Sequence, residues 1–416
     1  MKNALSLLSA AELPAICLDD VHAAAERISG SIVRTPTLRS QTLSELVGAD
    51  VWLKFENHQF TAAYKERGAL NALLLLDDEA KQRGVIAASA GNHAQGLAYH
   101  GKRLGVPVTI VMPKTTPQVK VSQTAGHGAN IVLFGEKYDD AYAHARALSA
   151  EMGLSFVHPF DHPHVAAGQG TVAMEMLEDA PEIDTLIVPI GGGGLLTGMG
   201  TAARGIKNDI RLIGVQAELY PSMYAHLNDV EMACEGDTLA EGIAVKEPGD
   251  YTRRLVADLQ DDIVLVAERH LERAVSLLLQ IEKTVVEGAG AAGLAALLAH
   301  PDQFRGRKVG LVLTGGNIDP RLLANVLLRD LARSGRIARL RLRLQDRPGA
   351  LFKVMEVFNA HQVNIIEIYH QRIFTTLPAK GLITDIECEA RDSEHLDMLV
   401  TALRENGYMV TPVELA

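Results

Sequence analysis

Seven short and nearly continuous apolar runs constrain this chain more than any other feature. They are "DVWLKFE" (50–56), "GVIAAS" (84–89), "VPVTIVMP" (106–113), "ANIVLFG" (129–135), "DTLIVPIG" (184–191), "IRLIGVQAE" (210–218) and "KVGLVLTGG" (308–316). They are rich in Val, Ile and Leu and lack the alternation of a half-exposed strand, so each reads as a strand buried on both faces. Helical patterns such as "YDDAYAHARALSAEMG" (138–153) and "RHLERAVSLLLQIEK" (269–283) separate them. This alternation predicts an α/β fold with open parallel sheets covered by helices. Ligands of such folds bind beyond the carboxyl ends of the strands.

After about residue 330 the pattern changes. "RIARLRLRLQD" (336–346) alternates strictly and is followed by "PGALFKVMEVFNAH", "VNIIEIYHQRI", "KGLITDIECEA", "DSEHLDMLVTALRENG" and "YMVTPVEL". The order is β-α-β-β-α-β, a ferredoxin-like α+β unit. Residues 337–416 are therefore expected to form a separate C-terminal domain, joined through "RDLARSGR" (329–336) with the linker at 331–336.

A formal net charge of −11 argues against nucleic acid or an anionic membrane as the main partner. Cys17, Cys234 and Cys388 show no paired spacing. Neither a disulfide framework nor a thiolate metal site fits them, and a reducing cytoplasm is the expectation. The N-terminal "MKNALSLLSAAELPA" faintly resembles a leader, but Glu12 interrupts it and a helical pattern follows. No run of about 18 apolar residues predicts a membrane span.

Four glycine-rich turns compete for a ligand. "GAGAAG" (288–293) matches a dinucleotide fingerprint, yet the next strand ends in Thr314 where an acidic residue would be needed. "GMGTAA" (198–203) lies inside a helical pattern, and both read as tight helix packing. "IGGGGLLTG" (190–198) follows a buried strand and opens a helix, so Gly191, Gly192, Gly193, Gly194 and Leu195 offer a phosphate site. "SAGNHAQG" (89–96) sets Ser89, Asn92 and His93 beside the amides of Ala90 and Gly91. It suits a carboxylate or a phenolic oxygen, or is merely a capped helix start. In "FTAAYKERGAL" (60–70), Lys65 follows Tyr64 and two alanines as a helix begins. Pointing inward, its amine would be desolvated and its pKa lowered. Lys54 reads as one of the many lysines that only solvate a surface.

Taken in order, "ENHQFTAAYKERGAL", "SAGNHAQG", "GGGGLLTG", "AEGIAVKEPG" and "LTGGNID" resemble fold type II (tryptophan synthase β-like) pyridoxal phosphate enzymes, specifically the serine/threonine dehydratases. The resemblance implies a catalytic domain over 1–330, with a smaller lobe at about 57–155 inserted in a larger one. It implies that Lys65 carries pyridoxal 5'-phosphate and acts as general base, that Tyr64 flanks the ring, and that Asn92 bonds the ring hydroxyl oxygen. Gly191 to Leu195 would cradle the phosphate, Thr314 would meet the pyridine nitrogen, and Ser89, Ala90, Gly91, Asn92 and His93 would hold the substrate carboxylate. A hydroxyl at the ring nitrogen suits β-elimination. The implied reaction converts L-threonine, and L-serine, to a 2-oxoacid and ammonia.

Three departures sharpen this expectation. The family usually has Gly-Ser where this chain has Ala62 and Ala63. Serine racemases of the family carry a serine at the position of Ala90, which disfavours racemisation here. The acidic set that holds a divalent ion in racemases is reduced to Glu218 in "AELYPSMY". "HPFDHPH" (158–164) gathers three histidines and an aspartate, but two prolines make it an irregular loop; no metal is expected. Other readings are a dehydratase of another β-hydroxy amino acid such as hydroxyaspartate, a non-catalytic amino-acid sensor, and an NAD-dependent oxidoreductase. The last is weakened by Thr314.

The C-terminal "LQDRPGALFKV" and "VNIIEI" resemble ACT domains, which sense amino acids. The implied effector, a branched-chain amino acid, would bind at the turn of Asp346, Pro348, Gly349 and Ala350, where free amides are expected. A purely structural dimerisation module is the alternative. The resemblance implies a homo-oligomer, a dimer or tetramer.

Overall fold

The computed structural model describes residues 13–413, so most of the leader-like N-terminal stretch lies outside the described residues. The chain divides into two compact units, Met1–Ile318 and Asp319–Ala416.

The first unit contains β1 (Thr37–Ser40), β2 (Asp50–Lys54), β3 (Val85–Ala88), β4 (Val108–Met112), β5 (Asn130–Leu133), β6 (Ser155–Phe156), β7 (Thr185–Pro189), β8 (Arg211–Ala217), β9 (Asp262–Val266) and β10 (Lys308–Val312). One sheet has the order β1-β2-β10-β7-β8-β9 and the other β5-β4-β3-β6. All pairings are parallel except that of β1 with β2. All seven expected strands form. Three further strands, β1, β6 and β9, stand at sheet edges: β1 is the polar "TLRS" and β6 is two residues long, whereas β9 is the apolar "DIVLV" and buries Ile263, Val264 and Val266. β5, expected to be buried, is also an edge strand and leaves Leu133 exposed.

The core of the larger sheet joins Leu186, Val188 and Ile190 to Leu196 and Met199 of the helix Gly194–Ile206 and to Val172 and Met176 of the helix Pro163–Asp179. Those two helices cross almost in backbone contact. A Cβ on Gly198 would lie 2.1 Å from the Ala166 carbonyl oxygen. "GMGTAA" is thus a packing motif. "GAGAAG" opens the helix Gly288–Ala299, where a Cβ on Gly288 would meet the Leu239 carbonyl oxygen at 2.3 Å.

The second unit begins with the helix Pro320–Arg333, whose first turn is capped by Asp319 accepting from the N–H groups of Arg321 and Leu322. The expected linker is therefore helical through Arg333, because Pro at the first position and an Asp cap favour helix over the following "LLANVLLRDLAR". Then come β11 (Ile337–Gln345), β12 (Asn364–Gln371), β13 (Gly381–Glu389) and β14 (Met409–Pro412) in an antiparallel sheet of order β12-β13-β11-β14. The helices Ala350–Ala360 and Ser393–Glu405 bury Phe358, Leu399 and Leu403 against Leu340, Leu342 and Ile386. This is the expected β-α-β-β-α-β order.

Candidate active site

The site is assembled at the carboxyl ends of β10 and β7, which are neighbours in the larger sheet. The chain leaving β10 pairs with the segment before Lys65. Tyr64 N–H donates to the Thr314 carbonyl at 3.0 Å, Gly316 N–H donates to the Ala62 carbonyl at 2.9 Å, and Ala63 bridges Gly315. Lys65 is then the first residue of the helix Lys65–Leu74.

That helix start is held by an ion network the sequence did not reveal. Arg67, wholly buried, donates in forked pairs to Glu56 and Glu175 at 2.8 Å and to the Thr171 hydroxyl at 3.0 Å. Lys54, also wholly buried, donates to Glu175 at 2.6 Å and to the Thr35 carbonyl at 2.7 Å. Lys54 is therefore not a solvating lysine. It is the last residue of β2, an interior strand of the larger sheet, and its charge is matched locally: two cations face two anions. Burial pushes its amine below the ordinary lysine value, and Glu175 and Glu56 oppose that shift.

Burial also brings Lys65 down to about 8, against the opposing charge of Glu287. Its Nζ donates to the Pro159 carbonyl at 2.8 Å and lies 5.3 Å from the centre of the Tyr64 ring. Thr314 is buried, and among the described residues its hydroxyl has no hydrogen-bond partner.

Asn92 opens the helix Asn92–Leu104. Its Nδ2 donates to Glu287 at 2.7 Å, and its Oδ1 accepts from Asn317 at 2.8 Å. Asn317 donates as well to the Thr61 carbonyl at 2.8 Å, which ties Asn92 to the Lys65 segment. One Nδ2 hydrogen remains for a further acceptor. Glu287, just before the "GAGAAG" helix, escaped the sequence reading. Burial pushes its carboxyl up to about 7, against the Asn92 hydrogen bond.

The "SAGNHAQG" turn is less uniform than expected. Gly91 N–H donates to the Ser89 hydroxyl at 3.3 Å, while the N–H groups of Ala90, Asn92 and His93 meet no acceptor among the described residues. The His93 side chain is buried and bonded through Nε2 to the Val157 carbonyl at 3.1 Å. Burial and the nearby Lys65 amine bring it down to about 3, so it carries no charge toward an anion at neutral pH.

Gly191 to Gly194 follow β7 directly. Gly193 has φ of 95°, a left-handed conformation that favours glycine, and a Cβ there would lie 2.9 Å from both Met223 and Thr252 side-chain carbons. The N–H groups of Gly191 to Leu195 find no acceptor among the described residues. Orphan donors at a helix start suit a phosphate. An amine near neutrality, an unpartnered hydroxyl and this row of amides together fit a phosphorylated aldehyde cofactor.

The C-terminal turn departs from expectation. Asp346 N–H donates to the Lys380 carbonyl, Arg347 N–H to that of Gln345, and Ala350 N–H to that of Arg347. Pro348 has no N–H, so Gly349 alone keeps an open amide; the turn closes on itself and on the chain before β13. The Asp346 carboxylate meets Arg372 Nε at 3.1 Å. Among the described residues no three His, Cys, Asp or Glu side chains gather to hold a metal ion, and no helix is long and apolar enough to cross a membrane.

Residues 28–315 match the family of pyridoxal-phosphate dependent enzymes, and 338–405 match the ACT domain. The chain belongs to the pyridoxal-phosphate dependent enzymes, and pyridoxal phosphate is its cofactor. It is 40% identical over 397 residues to an L-threonine ammonia-lyase of Thermotoga maritima, covering 95% of this chain and 99% of that relative. Its fold matches a maize serine racemase with TM-score 0.71 at 33% identity, over 77% of this chain and 99% of that one. It also matches the processed form of threonine deaminase isoform 2 from Solanum lycopersicum with TM-score 0.70 at 33% identity, over 74% and 86% of the two chains.

Proposed function

We propose that this chain is an L-threonine ammonia-lyase, acting also on L-serine, that releases 2-oxobutyrate or pyruvate together with ammonia. The observation that carries the reading is the Lys65 amine bonded to the Pro159 carbonyl, in the turn whose next residue, Phe160, packs against the glycine loop after β7. The near full-length relative of the same activity supports it. When bound, pyridoxal phosphate supplies an electron sink for the bond pair left at the substrate α-carbon. Lys65 takes the α-proton; burial lowers its pKa to about 8, which favours the neutral amine that a base requires. The amides of Gly191 to Leu195 would hold the phosphate, Thr314 would meet the ring nitrogen, Asn92 would bond the ring oxygen, and Tyr64 would flank the ring. The open amides of Ala90, Asn92 and His93 bind the substrate carboxylate, with Ser89 and Gly91 shaping the turn. Ala90 has no proton to exchange, which sets this chain apart from a racemase.

Residues up to about 330 serve catalysis and 337–416 serve regulation by an amino acid of the branched-chain class. Asp346, Pro348, Gly349 and Ala350 lie at the effector turn, with Asp346 held by Arg372. The working enzyme is a cytoplasmic homo-oligomer, a dimer or tetramer, placed in the chemistry that leads from threonine toward isoleucine.

Purified protein tests the reading. It should absorb as a yellow holoenzyme, lose that absorbance on borohydride treatment, and form 2-oxobutyrate and ammonia in equal amounts from L-threonine. Unchanged activity in Lys65→Ala would sink it, and so would D-serine formed faster than pyruvate. Titration of the full chain with isoleucine and valine should shift its activity; no shift removes the regulatory part.

A further inference from the structure

The loop "HPFDHPH" belongs to neither the metal nor the cofactor reading, yet it touches both halves of the site. Pro159 and Pro163 keep 159–162 out of a helix, and Pro163 then starts the helix Pro163–Asp179. Within the turn, His158 Nδ1 accepts from the N–H groups of Phe160 at 3.3 Å and Asp161 at 2.8 Å. An accepting Nδ1 requires a neutral imidazole, and burial holds His158 down at about 3.

Each of the next three residues reaches a different part of the site. The Pro159 carbonyl takes the hydrogen bond from Lys65 Nζ. The Phe160 ring fills the space beside the glycine loop: a Cβ on Gly192 would lie 2.2 Å from it, and one on Gly194 would lie 2.8 Å from the Phe160 carbonyl oxygen. Asp161 Oδ1 accepts from Thr252 N–H at 3.0 Å, in the first turn of the helix Asp250–Leu259. Gly249 lets the carboxylate come that close, since a Cβ there would sit 2.1 Å from Asp161 Oδ1.

That helix start in turn grips the glycine loop. The Thr252 hydroxyl and the Gly249 N–H both donate to the Gly192 carbonyl. In a trans peptide the C=O and the following N–H point in opposite directions. Anchoring the Gly192 carbonyl therefore turns the Gly193 N–H away from the helix.

We propose that the turn 158–161 is a positioning bracket that fixes the glycine loop relative to the Lys65 amine, with Asp161 and Thr252 as positioning residues acting on Gly192. The inference rests on the reading of Lys65 and the glycine loop as two ends of one cofactor site.

The test uses the full-length protein with Thr252→Val, Thr252→Ser, Asp161→Ala and the double variant Asp161→Ala/Thr252→Val. Apoprotein is reconstituted with pyridoxal phosphate, and the dissociation constant is read by absorbance. The bound phosphate is read by its 31P resonance. Thr252→Val should weaken retention about tenfold, as expected when a buried carbonyl loses one donor. It should also move the 31P resonance, while Thr252→Ser stays within about twofold of the parent. Asp161→Ala should match Thr252→Val, and the double variant should be no worse than either, because both act along one path. Additive losses near a hundredfold overturn the bracket, as does an unmoved resonance with normal retention in Thr252→Val. If the parent protein itself binds no pyridoxal phosphate at Lys65, the underlying reading fails along with the bracket. Parent binding with unaffected variants defeats the bracket alone.

Discussion

Replacing Glu175 with glutamine tests the ion network that holds the Lys65 helix. In the native protein Lys54 and Arg67 face Glu56 and Glu175, and the side chains of Lys54, Arg67 and Glu56 are wholly buried. Glu175→Gln keeps the shape but leaves two buried cations against one anion. Breaking a buried pair in this way costs about 3–5 kcal/mol, much more than the loss of a surface ion pair. The lost charge also removes the partner that opposes the burial-driven fall of the Lys54 pKa. The variant's folded state therefore sheds the Lys54 proton at lower pH than its unfolded state does. Since the unfolded chain then binds more protons, stability rises with pH from the depressed folded value up to the ordinary lysine value of about 10.4. The deficit should shrink in alkaline buffer. Urea unfolding followed by Trp52, the single tryptophan and two residues from Lys54 in β2, reads the change directly. Adding Lys54→Met restores one cation to one anion and should recover most of the loss. A cost under about 1 kcal/mol, or a double variant no more stable than the single one, would refute the reasoning.

Other outcomes follow from single positions. Ala62 has φ of 55°, a left-handed conformation that costs a residue with a Cβ about 1–2 kcal/mol. Ala62→Gly should therefore raise the melting temperature, since that relief exceeds the added freedom of the unfolded chain; a lowered value would contradict it. Gly193→Ala places a Cβ against Met223 and Thr252 at a positive φ, and should weaken pyridoxal phosphate retention at least tenfold with far-UV circular dichroism unchanged. Glu287 has its folded pKa raised to about 7, so the folded state binds the extra proton between about 4.3 and 7. Its contribution is present below that window and is lost as pH rises through it, about 4 kcal/mol at most. Glu287→Gln should flatten the fall in melting temperature between pH 5 and 7.5; an unchanged slope would assign the fall to other groups.

Much of this was legible in the chain because buried parallel strands require continuous Val, Ile and Leu, as at Val108–Met112 and Thr185–Pro189. Two of the edge strands were not: β6 has two residues and β1 is the polar "TLRS". Lys65 and the four glycines announced themselves through their neighbours along the sequence. Glu287, Asp161 and Thr252 did not, since each matters through a hydrogen bond to a residue far along the chain. The burial of Lys54 depends on Glu175, 121 positions away. The open amides expected at Asp346 to Ala350 failed for a similar reason: an N–H is free or taken according to where a distant carbonyl, here that of Lys380, comes to rest.

The central claim is that Lys65 carries the cofactor and removes the α-proton. Borohydride reduction of the holoenzyme, followed by peptide mass spectrometry, tests it most directly. The account predicts one reduced pyridoxyl phosphate group, found on the peptide containing Lys65, and loss of ammonia release from L-threonine in proportion to labelling. A label on Lys54 or another lysine, or full labelling with activity retained, would contradict it.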